Sequence, residues 1–153
     1  MRHAIPALMA VLLLAGCTTT SVTLKLEAIE PVNKASADGD SRVVEVRVFE
    51  LKDRAKFEQS STEDIWDNAE GTLGGDLLSV RNADPVYPQK ESAKDSGTTV
   101  VIDPINAETK FIGVLALMTE SDDKGKRHIA VALGDAESVV FRITGYHVEL
   151  RKK

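Results

Sequence analysis

The 153-residue sequence holds one cysteine, one tryptophan and three histidines, and aromatic residues make up only 5% of it. A lone cysteine, Cys17, excludes an internal disulfide, a zinc knuckle and a CxxC redox pair. Lys and Arg total 19 against 24 Asp and Glu, a formal charge of −5. The basic face that displaces counterions from phosphate is therefore lacking, and nucleic acid is excluded as a partner. A GxSxG elbow, a P-loop and an HExxH helix are all missing, and there is no internal repeat or low-complexity run. What remains, 42% hydrophobic and 28% charged, is the composition of one globular domain.

The one membrane-like stretch lies at the N-terminus. Arg2 and His3 form a short polar region, followed by apolar residues from Ile5 to Ala15 interrupted only by Pro6. At roughly ten residues it is too short to span a bilayer as a helix, but it has the length of a signal-peptide core. Leu14-Ala15-Gly16-Cys17 closes it and looks like a bacterial lipobox. Ala15 and Gly16 are small enough for an extended backbone to enter a peptidase groove, and the Cys17 thiol is the nucleophile for a thioether to diacylglycerol. The expectation is a signal peptide over 1–16, a lipidated N-terminus and tether over 17–21, and a domain over 22–153. Removing 16 of the 153 residues leaves 137. Three acyl chains at ~0.8 kcal/mol per buried CH₂ exceed the two signals that stable anchoring requires. Thr18, not Asp, follows the cysteine, which by resemblance to the sorting rule of enteric lipoproteins favours the outer membrane. An alkylated sulfur also cannot serve as a catalytic nucleophile.

Along the remaining chain the pattern is mostly β. Val22, Leu24, Leu26 and Ala28 alternate with polar residues as in a half-buried strand, and Pro31 to Ser41 has the composition of a connecting loop. Val43 to Leu51 is the next strand: Val44, Val46 and Val48 share one face, then Phe49 and Leu51 appear on the other. Apolar residues on both faces require a cover for the outer one. Ser60-Ser61-Thr62-Glu63 matches a capping box with Ser60 as N-cap, and Ile65, Trp66, Ala69 and Leu73 follow at helical spacings, with Gly71 as a breaker. One or two short helices over 53–78 are therefore expected to pack on Phe49, Leu51 and Phe57, with Trp66 in that core.

Leu78 to Val80 and Val86-Tyr87 bracket a proline-containing edge, and Thr98 to Ile102 is a short β-branched strand. Phe111 to Met118 is continuously apolar, hence a central strand, and Ile129, Val131 and Leu133 resume alternation after a charged turn from Glu120 to Lys126. Val139, Phe141 and Ile143 share a phase that slips at Thr144-Gly145 before Tyr146, Val148 and Leu150, which predicts a β-bulge. Seven or eight such strands with polar turns point to an antiparallel β-sandwich.

Chemistry-bearing clusters are sparse. His147 and Glu149 share a strand face, but two ligands do not make a metal site, and an exposed strand pair explains them. Leu73-Gly74-Gly75-Asp76 is too short for a phosphate loop, and turn chemistry accounts for Asp38-Gly39-Asp40 and Asp122-Asp123. The reading is a binding protein with no cofactor, no metal and no small-molecule substrate, not an enzyme.

The run from Val46 to Asp53, then Phe57, Ile65-Trp66 and Leu73-Gly74-Gly75-Asp76-Leu77-Leu78, resembles the type VI secretion lipoprotein family called TssJ, and Pro88 and Ile112 to Ala116 continue the pattern. The sequence departs from it at Glu50, where the family usually has Gln, at Gln89, where it has Gly, and at Thr119-Glu120, which replace an aromatic-basic pair. The resemblance implies a mostly β, transthyretin-like sandwich decorated by helices. It also implies a role: a lipid-anchored protein on the periplasmic face of the outer membrane, holding the periplasmic domain of a TssM-type inner-membrane protein. The family's first interstrand loop is implicated in gripping that partner. Here it carries Pro31, Val32, Asn33, Lys34, Asp38, Gly39, Asp40 and, at the next strand's edge, Arg42. The alternatives are a small-ligand-binding or envelope-maintenance lipoprotein with the same sandwich, which predicts an apolar cleft with convergent polar groups, and an enzyme centred on His147 and Glu149.

Overall fold

The alternating valines and leucines build two facing sheets. The computed structural model describes residues 21–34, 36, 39–93, 97–119 and 126–153. The lipobox, Cys17, Asp38 and the Asp122-Asp123 pair lie outside the described residues. In the first sheet β1 (Val22–Val32) is central. It pairs with β8 (Val139–Gly145) on one side, and β8 with β9 (His147–Lys152). On its other side β1 meets β5 (Thr98–Ile102) along its first half and β4 (Pro88–Gln89) along its second. The second sheet has the order β3 (Leu77–Asn82), β2 (Glu45–Leu51), β6 (Phe111–Leu117), β7 (His128–Ala132). The mostly β sandwich expected from the sequence is present, but it is not wholly antiparallel. β1 runs parallel to both β8 and β4, a pairing between strands far apart in sequence that local alternation does not encode.

The two faces of β2 end in two different cores. Val44, Val46 and Val48 face the first sheet and pack with Leu24, Leu26, Phe141 and Ile143 between the layers. Phe49 and Leu51 point the other way and are covered by α1 (Ala55–Gln59), α2 (Thr62–Asp67) and α3 (Ala69–Leu73) through Phe57, Ile65 and Leu73, all fully buried. Full burial of each such side chain is worth about 1.5–3 kcal/mol, which fixes helices too short to be stable alone.

Three local expectations shift. The N-cap is Ser61, not Ser60: its hydroxyl accepts from the Asp64 amide at 3.0 Å, and Glu63 instead pairs with Arg127. The helical break falls at Asn68, not Gly71. Asn68 caps α3 by accepting from Gly71 N, and a Cβ at Gly71 would come within 2.3 Å of the Asn68 side chain. The phase slip at Thr144-Gly145 is a hairpin and not a bulge, since Thr144 pairs with His147 across a two-residue turn. Gly145 takes φ +55°, as the first central position of a type II′ turn requires. A bulge and a tight hairpin both break period-two alternation, so phase alone cannot separate them.

Trp66 is half-buried and not part of the sealed core. It packs against the helix-covered cluster from outside, and the Arg47 guanidinium stacks 3.8 Å above its ring. Arg47 also donates to the Trp66 carbonyl at 2.6 Å, which ties α2 to β2.

Candidate functional site

Strand direction gives the sandwich two chemically different ends. At one, Val22 opens β1 beside Ile102, the Thr23 amide donates to Glu137 Oε1 at 2.9 Å, and Val139 pairs with Lys152. At the other, β1 finishes at Val32, next to Gly145 of the hairpin turn. With about 3.3 Å per residue, 11 residues of β1 separate the ends by roughly 30 Å.

The expected loop residues gather at this far end, though not all of them as loop. Pro31 and Val32 belong to β1, and Val32 is fully buried in the core between the sheets. Asn33 is 5% exposed and adopts φ +47°, a left-handed conformation that Asn tolerates better than most residues. Its side chain is wholly engaged: Nδ2 donates to Val43 O at 2.8 Å, and Oδ1 accepts from Thr119 N at 2.8 Å. Its amide donates to Gly145 O at 3.0 Å. Lys34 contributes its carbonyl, which accepts from Thr119 Oγ1 at 3.0 Å and from the Tyr146 hydroxyl at 3.1 Å. Asp40 and Arg42 are exposed, and the Arg42 amide returns to Val32 O at 3.2 Å, closing the loop. Gly39 is half-buried, its amide donating to Ser36 O at 2.9 Å.

Three participants escape a reading of the loop alone: Thr119 after β6, and Gly145 and Tyr146 at the β8–β9 turn. The phase slip was the signal for the turn. Thr119 had a subtler one, since it stands where the resembling family has an aromatic. Its short polar side chain reaches both Asn33 and Lys34. Together these segments enclose a recess of about 110 Å³ lined by Pro31, Val32, Asn33, Lys34, Gly145 and Tyr146.

Elsewhere, His147 Nε2 and Glu149 Oε2 lie 4.0 Å apart, with Arg142 Nε 3.6 Å from Glu149. Among the described residues no three His, Cys, Asp or Glu side chains converge as a metal set. On the outer face of the first sheet, Lys25, Glu27, Arg142 and Arg151 border a cavity of about 260 Å³ crossed by ion pairs, with Arg151 3.0 Å from Glu27. Buried His128 meets Thr62 Oγ1 at 3.0 Å through Nδ1 and presents its ring to the edge of Phe57. Burial holds its pKa below the usual histidine value; Lys126 and Arg127 add to the effect, and a backbone hydrogen bond with Phe57 and the Glu63 charge oppose it.

A family described as "Type VI secretion lipoprotein, VasD, EvfM, TssJ, VC_A0113" matches residues 20–151. No curated protein matches the chain. Among solved structures, the membrane-bound type VI secretion component Lip of Serratia marcescens is 18% identical with a TM-score of 0.71, over 88% of this chain and 99% of that one. The lipoprotein TssJ1 of Pseudomonas aeruginosa is 22% identical with a TM-score of 0.66, over 88% and 98%. A chain in a structure described as the TssM C-terminal domain (869-1107) from EAEC is 22% identical with a TM-score of 0.67, over 88% and 99%. At these identities the likeness is one of fold.

Proposed function

Because this chain belongs to the type VI secretion lipoprotein family, a family of structural membrane-complex components, we propose that it tethers a TssM-type inner-membrane protein to the outer membrane. Acylated Cys17 is the anchor, and the far end of the sandwich, around Pro31 to Arg42, binds the partner's periplasmic domain. One observation carries the reading: β1 begins at Val22, five residues after Cys17 in the chain, and finishes at the loop, so one strand connects anchor and docking surface. Residues 17–21 extend no more than about 17 Å at ~3.4 Å each, which keeps the start of β1 close to the bilayer. The roughly 30 Å of β1 then carry the loop into the periplasm, toward a partner rooted in the opposite membrane. That a structure of this fold is described by a TssM domain supports the choice of partner.

The role is mechanical and needs no catalysis. Acyl chains at one end and a protein interface at the other let a load pass through the sheet. Two variants test it. Cys17→Ala should leave the precursor out of the outer-membrane fraction and stop secretion. Deleting residues 36–40 should leave a folded, outer-membrane protein that no longer retains the periplasmic domain of its TssM-type partner in pull-down. Unchanged retention by the loop deletion would refute the docking assignment.

A further inference from the structure

Tyr146 and Lys34 are 112 positions apart, yet the tyrosine hydroxyl is hydrogen-bonded to the lysine carbonyl at 3.1 Å. The bond closes one side of the recess between the end of β1 and the β8–β9 turn. We infer that this recess is a socket for a single aliphatic side chain of the protein partner, and that Tyr146 is the positioning residue that keeps it open. The inference rests on the reading of this end as the docking end.

Size and lining define the occupant. About 110 Å³ is the volume of a few water molecules at ~30 Å³ each, which matches a side chain such as Val or Leu. The polar groups around it are already engaged: Asn33 with Val43 and Thr119, and the Lys34 carbonyl with Thr119 and Tyr146. They leave a mainly apolar lining, with Pro31 and the Tyr146 ring as its accessible walls above fully buried Val32, which favours a guest that needs no hydrogen bond.

The chain's own N-terminal segment is excluded by reach. Once processed, residues 17–21 reach at most about 17 Å from the start of β1, whereas the socket lies roughly 30 Å away at its end. The occupant therefore comes from another molecule. A small apolar anchor in a preformed pocket, rimmed by polar contacts, is the arrangement that concentrates binding energy at protein interfaces. Preformation matters because ordering a loop on binding costs affinity. The Asn33, Thr119 and Tyr146 bonds order the base of this loop in advance.

The test uses the acylated full-length protein in nanodiscs, titrated with the purified periplasmic domain of its TssM-type partner. Tyr146→Ala should weaken binding at least tenfold, mostly through faster dissociation. Tyr146→Phe keeps the ring and removes only the bond to Lys34. It should weaken binding a few-fold and speed hydrogen exchange of the loop amides, with an unchanged melting temperature. If Tyr146→Ala fails to fold, Tyr146→Phe decides, and wild-type affinity in that variant overturns the positioning role. If loop deletion abolishes binding while folded Tyr146→Ala binds normally, the socket is wrong and the docking reading stands. If neither variant affects binding, the docking reading itself fails. A concentration-dependent dimer that Tyr146→Ala abolishes would instead assign the socket to a second copy and overturn the proposal.

Discussion

The Glu50 carboxylate lies 3.0 Å from the Arg81 guanidinium although Glu50 is only 2% exposed. Three further donors converge on it: Ser79 Oγ at 2.6 Å, Asn106 N at 2.8 Å and Thr109 Oγ1 at 2.9 Å. One side chain thus joins β2, β3 and the segment before β6. A buried carboxylate is tolerable only when its lone pairs are this fully used.

Replacing Glu50 should therefore cost more than its neighbours. Glu50→Ala leaves the buried Thr109 hydroxyl without its acceptor, removes the acceptor of the part-buried Ser79 Oγ and Asn106 N, and frees Arg81. It should lower unfolding free energy by about 2–4 kcal/mol. Glu50→Gln, the residue common in the family at this position, turns one acceptor into an NH₂ group facing donors. About 2 kcal/mol should be lost in this background. Urea denaturation of both variants checks this, and a Glu50→Gln protein as stable as wild type would sink the account.

The same group sets an acid limit. Burial alone would raise the Glu50 pKa, but the hydrogen bonds from Ser79, Asn106 and Thr109, with Arg81 nearby, hold it below its ordinary 4.5. A depressed carboxylate pKa contributes stability that is complete above the unfolded value and lost as pH falls through the folded one. His128 acts in a higher window. Its depressed pKa means that the unfolded chain takes up a proton first, so stability declines as pH drops below about 6.5. Melting temperature against pH should fall in two stages, below about 6.5 and again below about 4.5. His128→Gln should remove the first stage and leave the second.

Gly113 marks where the helical insertion presses on the sheet. A Cβ there would sit 2.9 Å from Phe57 Cζ and 3.2 Å from Leu51 Cδ1. Gly113→Ala should overpack this cluster and cost about 1–3 kcal/mol, with the helices loosening first in hydrogen exchange. Uniform destabilisation of both sheets, with no selective change in α1 and α2, would contradict the placement of Phe57.

Sequence carried the inner faces of the strands well, because burial writes a period of two into Val22 to Ala28 and Val44 to Val48. It also required the helical cover, since Phe49 and Leu51 had to be hidden by something. It could not carry the parallel neighbours of β1, which depend on chain crossovers, and it marked the turn at Gly145 only as a break in phase. Trp66 packs against the helix-covered cluster as its spacing implies, but half-buried at its margin and beneath Arg47. At the far end of the sandwich, the β1–β2 loop was legible from its Asn, Ser, Asp and Gly composition. Its ordering by Thr119 and Tyr146 was not, because hydrogen bonds across 86 and 112 positions leave no local trace.

Gly145 brings stability and docking to one test. At φ +55°, an alanine is strained whatever space surrounds it, and Gly145→Ala should cost about 1–3 kcal/mol. The turn also presents the carbonyl that accepts from Asn33 N at 3.0 Å and positions Tyr146 against Lys34. Strain at this residue therefore moves the wall of the recess as well as the hairpin. Gly134 is the matched control: nothing lies within 4 Å of a Cβ placed there, and it sits in the β7–β8 connection at the other end of the sandwich. Gly134→Ala should be neutral or slightly stabilising and bind the partner as wild type does. Gly145→Ala, assayed well below its melting temperature where it is fully folded, should still bind several-fold more weakly. If both glycine variants bound equally well under those conditions, the hairpin would be a structural turn alone.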